Sequence, residues 1–177
     1  MKQLIFICLS FSLLCCKCKK DKPVEPPKPE PQNQIYATIN GIAWETCKPG
    51  LLGPAFPSNY ASVQNFPGNY FDVSGANICS GTTNKDIYIY IKIFGSIKKG
   101  NKFQLGGTSP NMAVVSGPQL DSNSLSIKYP TDSIHTGMLE ITDTLYGLSG
   151  TFYFDGFNKD SNKVVKVTNG RMYQLRY

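Results

Sequence analysis

Ile87-Tyr88-Ile89-Tyr90-Ile91-Lys92-Ile93 decides the fold. Successive side chains of an extended chain point to opposite faces, so four Ile share one face and Tyr, Tyr and Lys the other. A strand with one buried and one wetter side belongs in an antiparallel sheet. Period-2 alternation dominates the chain on either side, and no convincing amphipathic helix interrupts it. Further strands are expected at 70–78, 102–105, 112–116, 125–129, 137–143, 148–155, 163–168 and 171–177. Within them Leu139, Ile141, Phe152, Phe154, Val165 and Val167 should point inward. Turn clusters such as Gly106-Gly107, Ser116-Gly117-Pro118 and Asp155 to Asn162 separate them. The spacing predicts an all-β domain, an antiparallel β-sandwich or flattened β-barrel of about 9–11 short strands.

Two Asn-Gly pairs set the outer hairpins. In Ile35-Tyr36-Ala37-Thr38-Ile39-Asn40-Gly41-Ile42-Ala43-Trp44 a two-residue turn pairs Ile39 with Ile42 and Ala37 with Trp44. All four should then share the core face. At the other end, a two-residue turn at Asn169-Gly170 would send Tyr173, Leu175 and Tyr177 to the wrong face. A three-residue loop, Thr168-Asn169-Gly170, pairs Val165 with Tyr173 and aligns the apolar faces, with a bulge at the glycine. The three-residue loop is therefore expected.

Composition agrees. The 177 residues are 41 % hydrophobic and 17 % charged, with 16 Gly, 12 Pro, 10 Tyr and 10 Phe. Those proportions suit strands and turns and suit neither a membrane-spanning bundle nor a disordered chain. Of the net charge of +6, residues 17–34 carry +2 and residues 35–177 carry +3. No basic cluster with interleaved aromatics forms, so nucleic acid is not an expected partner.

The first residues read as a targeting segment. Lys2 precedes an apolar stretch, Leu4 to Leu14, of eleven residues. As a helix it would reach only roughly 17 Å, short of the ~30 Å hydrocarbon core. It is excluded from the fold as a signal peptide, residues 1–15. Its end, Leu13-Leu14-Cys15-Cys16, resembles a bacterial lipobox. Cys16 fits best as the lipidated residue, with Leu13 at −3 and the small Cys15 at −1; lipidation at Cys15 or Cys18 would place Leu14 or Lys17 at the cleavage position. Residues 16–34 then form a lipid-anchored linker, with five Pro among 17–34 and almost nothing apolar. Such composition favours polyproline II, which over eighteen residues reaches up to ~55 Å. The basic run Lys17, Lys19, Lys20 and Lys22 suits a headgroup contact. Residues 35–177 remain as one domain, long enough to bury a core.

Three stretches resemble a family of small, uncharacterised Bacteroidetes-type cell-envelope lipoproteins. They are Ala37-Thr38-Ile39-Asn40-Gly41 with Trp44, Leu148-Ser149-Gly150-Thr151-Phe152-Tyr153-Phe154, and Val167-Thr168-Asn169-Gly170-Arg171. The resemblance implies an all-β lipoprotein of the outer membrane. In that group an acidic run after the lipid-bearing Cys goes with display on the outer face; here the run is basic, so the resemblance does not choose between the periplasmic and cell-surface faces. It carries no catalytic residues.

Cys47 and Cys79 are the only cysteines of the domain, and an oxidising compartment favours a bridge between them. Closing a loop of ~33 residues would contribute ~3–4 kcal/mol in the chain-entropy picture. Between them Phe56-Pro57-Ser58-Asn59-Tyr60 is echoed by Phe66-Pro67-Gly68-Asn69-Tyr70. Rigid turns carrying Phe56, Tyr60, Phe66 and Tyr70 suit a binding loop for a glycan or an envelope protein. The lone His135, in Thr131-Asp132-Ser133-Ile134-His135-Thr136, reads as a solvated loop residue without a nucleophile elbow or oxyanion hole. Asn158-Lys159-Asp160-Ser161-Asn162 is a polar turn lacking the Gly and terminal Glu of a calcium loop. No catalytic set, metal ligand set or cofactor motif is expected. The expected function is a non-catalytic, membrane-tethered binding or accessory domain. A lipocalin-like carrier of a small apolar ligand and a hydrolase are the alternatives.

Overall fold

The computed structural model describes residues 33–46, 61–66, 70–77, 87–117, 120 and 127–176, and within 61–66 only the side chain of Gln64. The strands are β1 (Gln34–Ile39), β2 (Ile42–Glu45), β3 (Ala61–Phe66), β4 (Tyr70–Asn77), β5 (Ile87–Phe94), β6 (Lys102–Leu105), β7 (Met112–Ser116), β8 (Lys128–Pro130), β9 (Gly137–Asp143), β10 (Leu148–Asn158) and β11 (Lys163–Leu175). They form two antiparallel sheets, β2-β1-β11-β10-β9-β6 and β3-β4-β5-β7-β8, packed as a sandwich and not as a closed barrel. There is no helix among the described residues.

The strand that announces the fold behaves as its pattern requires. Ile87, Ile89, Ile91 and Ile93 are buried between the sheets, while Tyr88 is exposed and Tyr90 and Lys92 are half-buried. From the opposite sheet Leu139, Ile141, Phe152, Phe154, Val165 and Val167 complete one continuous core. The β1–β2 hairpin has the expected register, Ile39 opposite Ile42 and Ala37 opposite Trp44. Its face assignment needs one correction. Ile39, Ala37 and Trp44 are buried, but Ile42 is 74 % exposed. It stands at the turn end of an edge strand and has a neighbouring strand on one side only.

The expected hairpin at Thr168-Asn169-Gly170 does not form. Residues 163–175 are one strand, hydrogen-bonded to β1 on one side and β10 on the other. Both residues of Asn40-Gly41 have positive φ, 49° and 83°, as a primed two-residue turn needs. At the second site Asn169 has φ 51°, but Gly170 does not share it. One left-handed residue inserts a bulge where two would reverse the chain. Thr38 pairs with Thr168 while Tyr36 pairs with Arg171, so three steps on β11 face two on β1. Gln174, with φ 46°, marks a second irregularity, where Gly150 pairs with Met172 but Leu148 with Leu175. Each insertion moves the inward positions by one. Val165 and Val167 face the core first, then Gly170 and Met172, then Leu175. Gly170 is held to glycine by packing: a Cβ there would lie 2.5 Å from the Phe152 ring.

Candidate functional site

Most residues singled out from the sequence fall outside the described residues: Cys16, Cys47, Cys79, Phe56 and Tyr60. Phe66 and Tyr70 are paired across the β3–β4 hairpin, so this part of the expected binding loop is strand. Ala61-Ser62-Val63-Gln64 alternates with small, weakly apolar residues and Asn65-Phe66 breaks the pattern, so the sequence marks β3 only faintly. The Tyr70 ring is half-buried, 5.5 Å from that of Phe94, with the Lys92 Nζ 4.1 Å above it. Next to this cluster the Tyr90 hydroxyl is bonded to Asp72; burial first, and Asp72 second, raise its pKa.

His135 is not the solvated loop residue expected. It is half-buried in the connection from β8 to β9, its ring stacked 4.5 Å from Phe157 and its Nδ1 3.0 Å from both Asp132 oxygens. The Asp132 Oδ1 also accepts the N–H groups of His135 at 2.7 Å and Ile134 at 2.8 Å. Those backbone bonds, reinforced by the His135 side chain, hold the Asp132 carboxyl at about 2, against an ordinary 3.8. Bonds that favour the charged form hold the turn together. A depressed carboxyl contributes stability that is complete above its unfolded value and lost as pH falls through the folded one. The Asp132 signal is therefore expected to titrate near pH 2 by NMR, and Asp132→Asn to flatten the loss of stability between about pH 4 and pH 2. A midpoint near 4 would contradict the bonding described. The 158–162 turn is likewise locked internally: Asn158 Oδ1 accepts from the Ser161 N–H at 2.8 Å and hydroxyl at 3.0 Å, and its Nδ2 donates to the Lys128 carbonyl at 3.0 Å. No group of three His, Cys, Asp or Glu fit for a metal occurs among the described residues.

An open groove of about 710 Å³ lies where β2, β1 and β11 meet at the edge of the larger sheet. Its position follows from strand parity. On β1, Tyr36 and Thr38 are the wetter residues and pair with Glu45 and Ala43 of β2. On β11 the insertion at Asn169 reverses the alternation, so Arg171 faces outward beside Tyr36 and Tyr173 follows two residues later. Bulges commonly re-aim a side chain in this way. Tyr36 and Tyr173 meet edge to face, with centroids 5.8 Å apart and planes at 80°. The Tyr36 hydroxyl donates to Gln34 Oε1. Burial, then the Glu45 carboxylate and Tyr173, raise its pKa. Trp44 lines the groove from the inward face and is 7 % exposed, yet its Nε1–H has no hydrogen-bond partner among the described residues. A buried donor left unbonded costs ~1–3 kcal/mol. The walls thus offer aromatic faces, one cation at Arg171, one carboxylate at Glu45 and the Asn169 amide. The sequence quotes Trp44 and Tyr36 in its opening hairpin but gives no sign that the second Asn-Gly brings Arg171 and Tyr173 to them.

Residues 69–176 match the family described as Domain of unknown function (DUF6252). Neither the curated proteins nor the solved structures provide a match to the chain.

Proposed function

The chain belongs to the DUF6252 family, and we propose that it is a lipid-anchored protein of the outer membrane whose β domain acts by binding, with the groove of Tyr36, Trp44, Glu45, Arg171 and Tyr173 as its ligand site. The observation that carries this reading is the edge-to-face pair Tyr36–Tyr173 on one wall with Glu45 and Arg171. Aromatic faces flanked by a few convergent polar groups suit the apolar face and hydroxyls of a sugar ring. Glu45 can accept from hydroxyls, and Arg171 and Asn169 can donate. A glycan is therefore the ligand class that answers this wall. The buried side chains of both sheets pack into one cluster, and the pocket that opens into it at Ile39, Trp44 and Ile87 is smaller, about 220 Å³, which favours binding at the outer groove. Among the described residues Glu45 is the sole carboxylate lining the groove, which favours recognition over hydrolysis by a carboxylate pair. The anchor reading rests on Leu13-Leu14-Cys15-Cys16 and the Pro-rich stretch after it.

A glycan array probed with the mature protein tests the groove. Tyr173→Ala and Arg171→Ala are expected to weaken the retained glycans at least tenfold, and Tyr36→Phe to weaken them while the protein stays folded, because the ring is kept and only the hydroxyl is removed. Equal affinity in all three variants, or no glycan retained by the unaltered protein, would overturn the assignment.

A further inference from the structure

Several features meet at one end of the larger sheet. The chain enters the domain there, where Asn33 precedes β1 and its Oδ1 accepts the Arg176 N–H at 3.3 Å just past the end of β11. Leu175 pairs with Leu148 at the start of β10, and Ser149 with Asp143 at the end of β9. The backbone of 100–101 continues the row: Gly100 N–H donates to the Ile141 carbonyl at 2.8 Å, and Ile141 N–H to that of Asn101 at 2.9 Å. The β9–β10 turn and the β5–β6 loop therefore project from the same end as the chain entry. Leu145 and Tyr146 form the tip of that turn, each 73 % exposed. Lys98 and Lys99 lie in that loop, both exposed. The nearby acid, Asp143, has its Oδ1 engaged by the N–H groups of Thr144 at 2.9 Å and Leu145 at 3.3 Å. Lys102, farther along, is paired with Glu140 at 3.4 Å.

We infer that this end is a membrane-contact face, seated on a bilayer that carries anionic headgroups. The occupant is chosen by chemistry and by connectivity. An adjacent Leu and Tyr at a turn tip are what an interface accepts, the aliphatic chain below the headgroups and the phenol among them. Lysines beside them meet the negative surface potential. The segment holding Cys16 joins the domain at this same end, so the inference rests on the anchor reading and adds an orientation to it. By itself the face binds weakly and reversibly. Tethering makes the encounter intramolecular and turns a weak contact into a preferred pose. The opposite end of β1, with the Asn40-Gly41 turn, then points away from the bilayer.

The test uses the chain from Lys17 onward, which keeps both sheets whole and carries no lipid. It is sedimented with vesicles of phosphatidylcholine alone and of phosphatidylcholine mixed with phosphatidylglycerol. Partition onto the mixed vesicles is expected to exceed that onto the neutral ones. Leu145→Asn with Tyr146→Ser should weaken it about tenfold, and Lys98→Gln with Lys99→Gln by a similar factor that shrinks as salt is added. Because the linker lysines are present in every variant, only the differences between variants count. Variants that partition like the unaltered chain, or an unaltered chain that ignores anionic vesicles, would overturn the contact face. Metabolic acyl labelling of the full-length protein against Cys16→Ser reads the anchor separately. A label that persists in the variant overturns lipidation at Cys16 and leaves the vesicle result standing.

Discussion

Phe154→Ala should cost about 3–5 kcal/mol of folding stability, the range for removing a phenyl ring from a core that cannot collapse around the loss. Phe154 lies in β10, between Gly137 of β9 and Val167 of β11, and is fully buried. Its ring stacks 6.4 Å from that of Phe152 on the same inward face. Strands on both sides hold the backbone in place, so the cavity stays open. Against a typical total of 5–15 kcal/mol the loss is large. Urea unfolding followed by circular dichroism measures it; a change below about 1 kcal/mol would mean that the ring is not part of the core.

A comparable effect is expected from one added methyl group, in Gly156→Ala. A Cβ at 156 would stand 2.3 Å from the Tyr129 carbonyl oxygen and 3.0 Å from its carbonyl carbon. These are main-chain atoms of β8, in the other sheet, so no side chain can swing aside. β8 itself is tied to β7 through Val115 and Tyr129, and the Tyr129 side chain is buried beneath it. Relief requires the sheets to part, and a cost of about 3 kcal/mol, the upper end for overpacking, is expected. Gly100→Ala supplies the control. Gly100 has φ +88° with nothing near its Cβ position, so it tests backbone strain without a clash. That strain is worth about 1–2 kcal/mol. If the two variants melt together, close packing at 156 is not what demands glycine.

How far the sequence could be read depends on whether a feature is local. The Ile87 to Ile93 run identifies its own faces, because period 2 needs no knowledge of neighbours. The first Asn-Gly fixes a register that the structure keeps, Ala37 to Trp44 included. The second Asn-Gly misleads. Whether an Asn in the left-handed region turns the chain or bulges it depends on strands waiting on both sides, and those are distant in sequence. Misreading it also hid the groove. With a turn at 168–170 Tyr173 belongs to the core, whereas the bulge brings it out to Tyr36. The turn around Asp132 shows the same limit: its acid and its His are neighbours in sequence, but the stacking partner Phe157 is supplied by β10.

The first described strand is stitched to the last. β1 gains its inner neighbour only when β11 is in place, and β2 touches the sheet only through β1. A two-stranded ribbon alone is barely stable in water. As the chain is made, its opening hairpin must therefore wait for the final segment with its edge unpaired. Such long-range closure is slow, on the order of milliseconds to seconds, and leaves the waiting edges open to wrong partners. The groove, shared by β1, β2 and β11, cannot exist before that closure. Binding in the groove as proposed would thus report the last event of folding, and a nascent chain would be blind to a ligand there until that final strand is inserted.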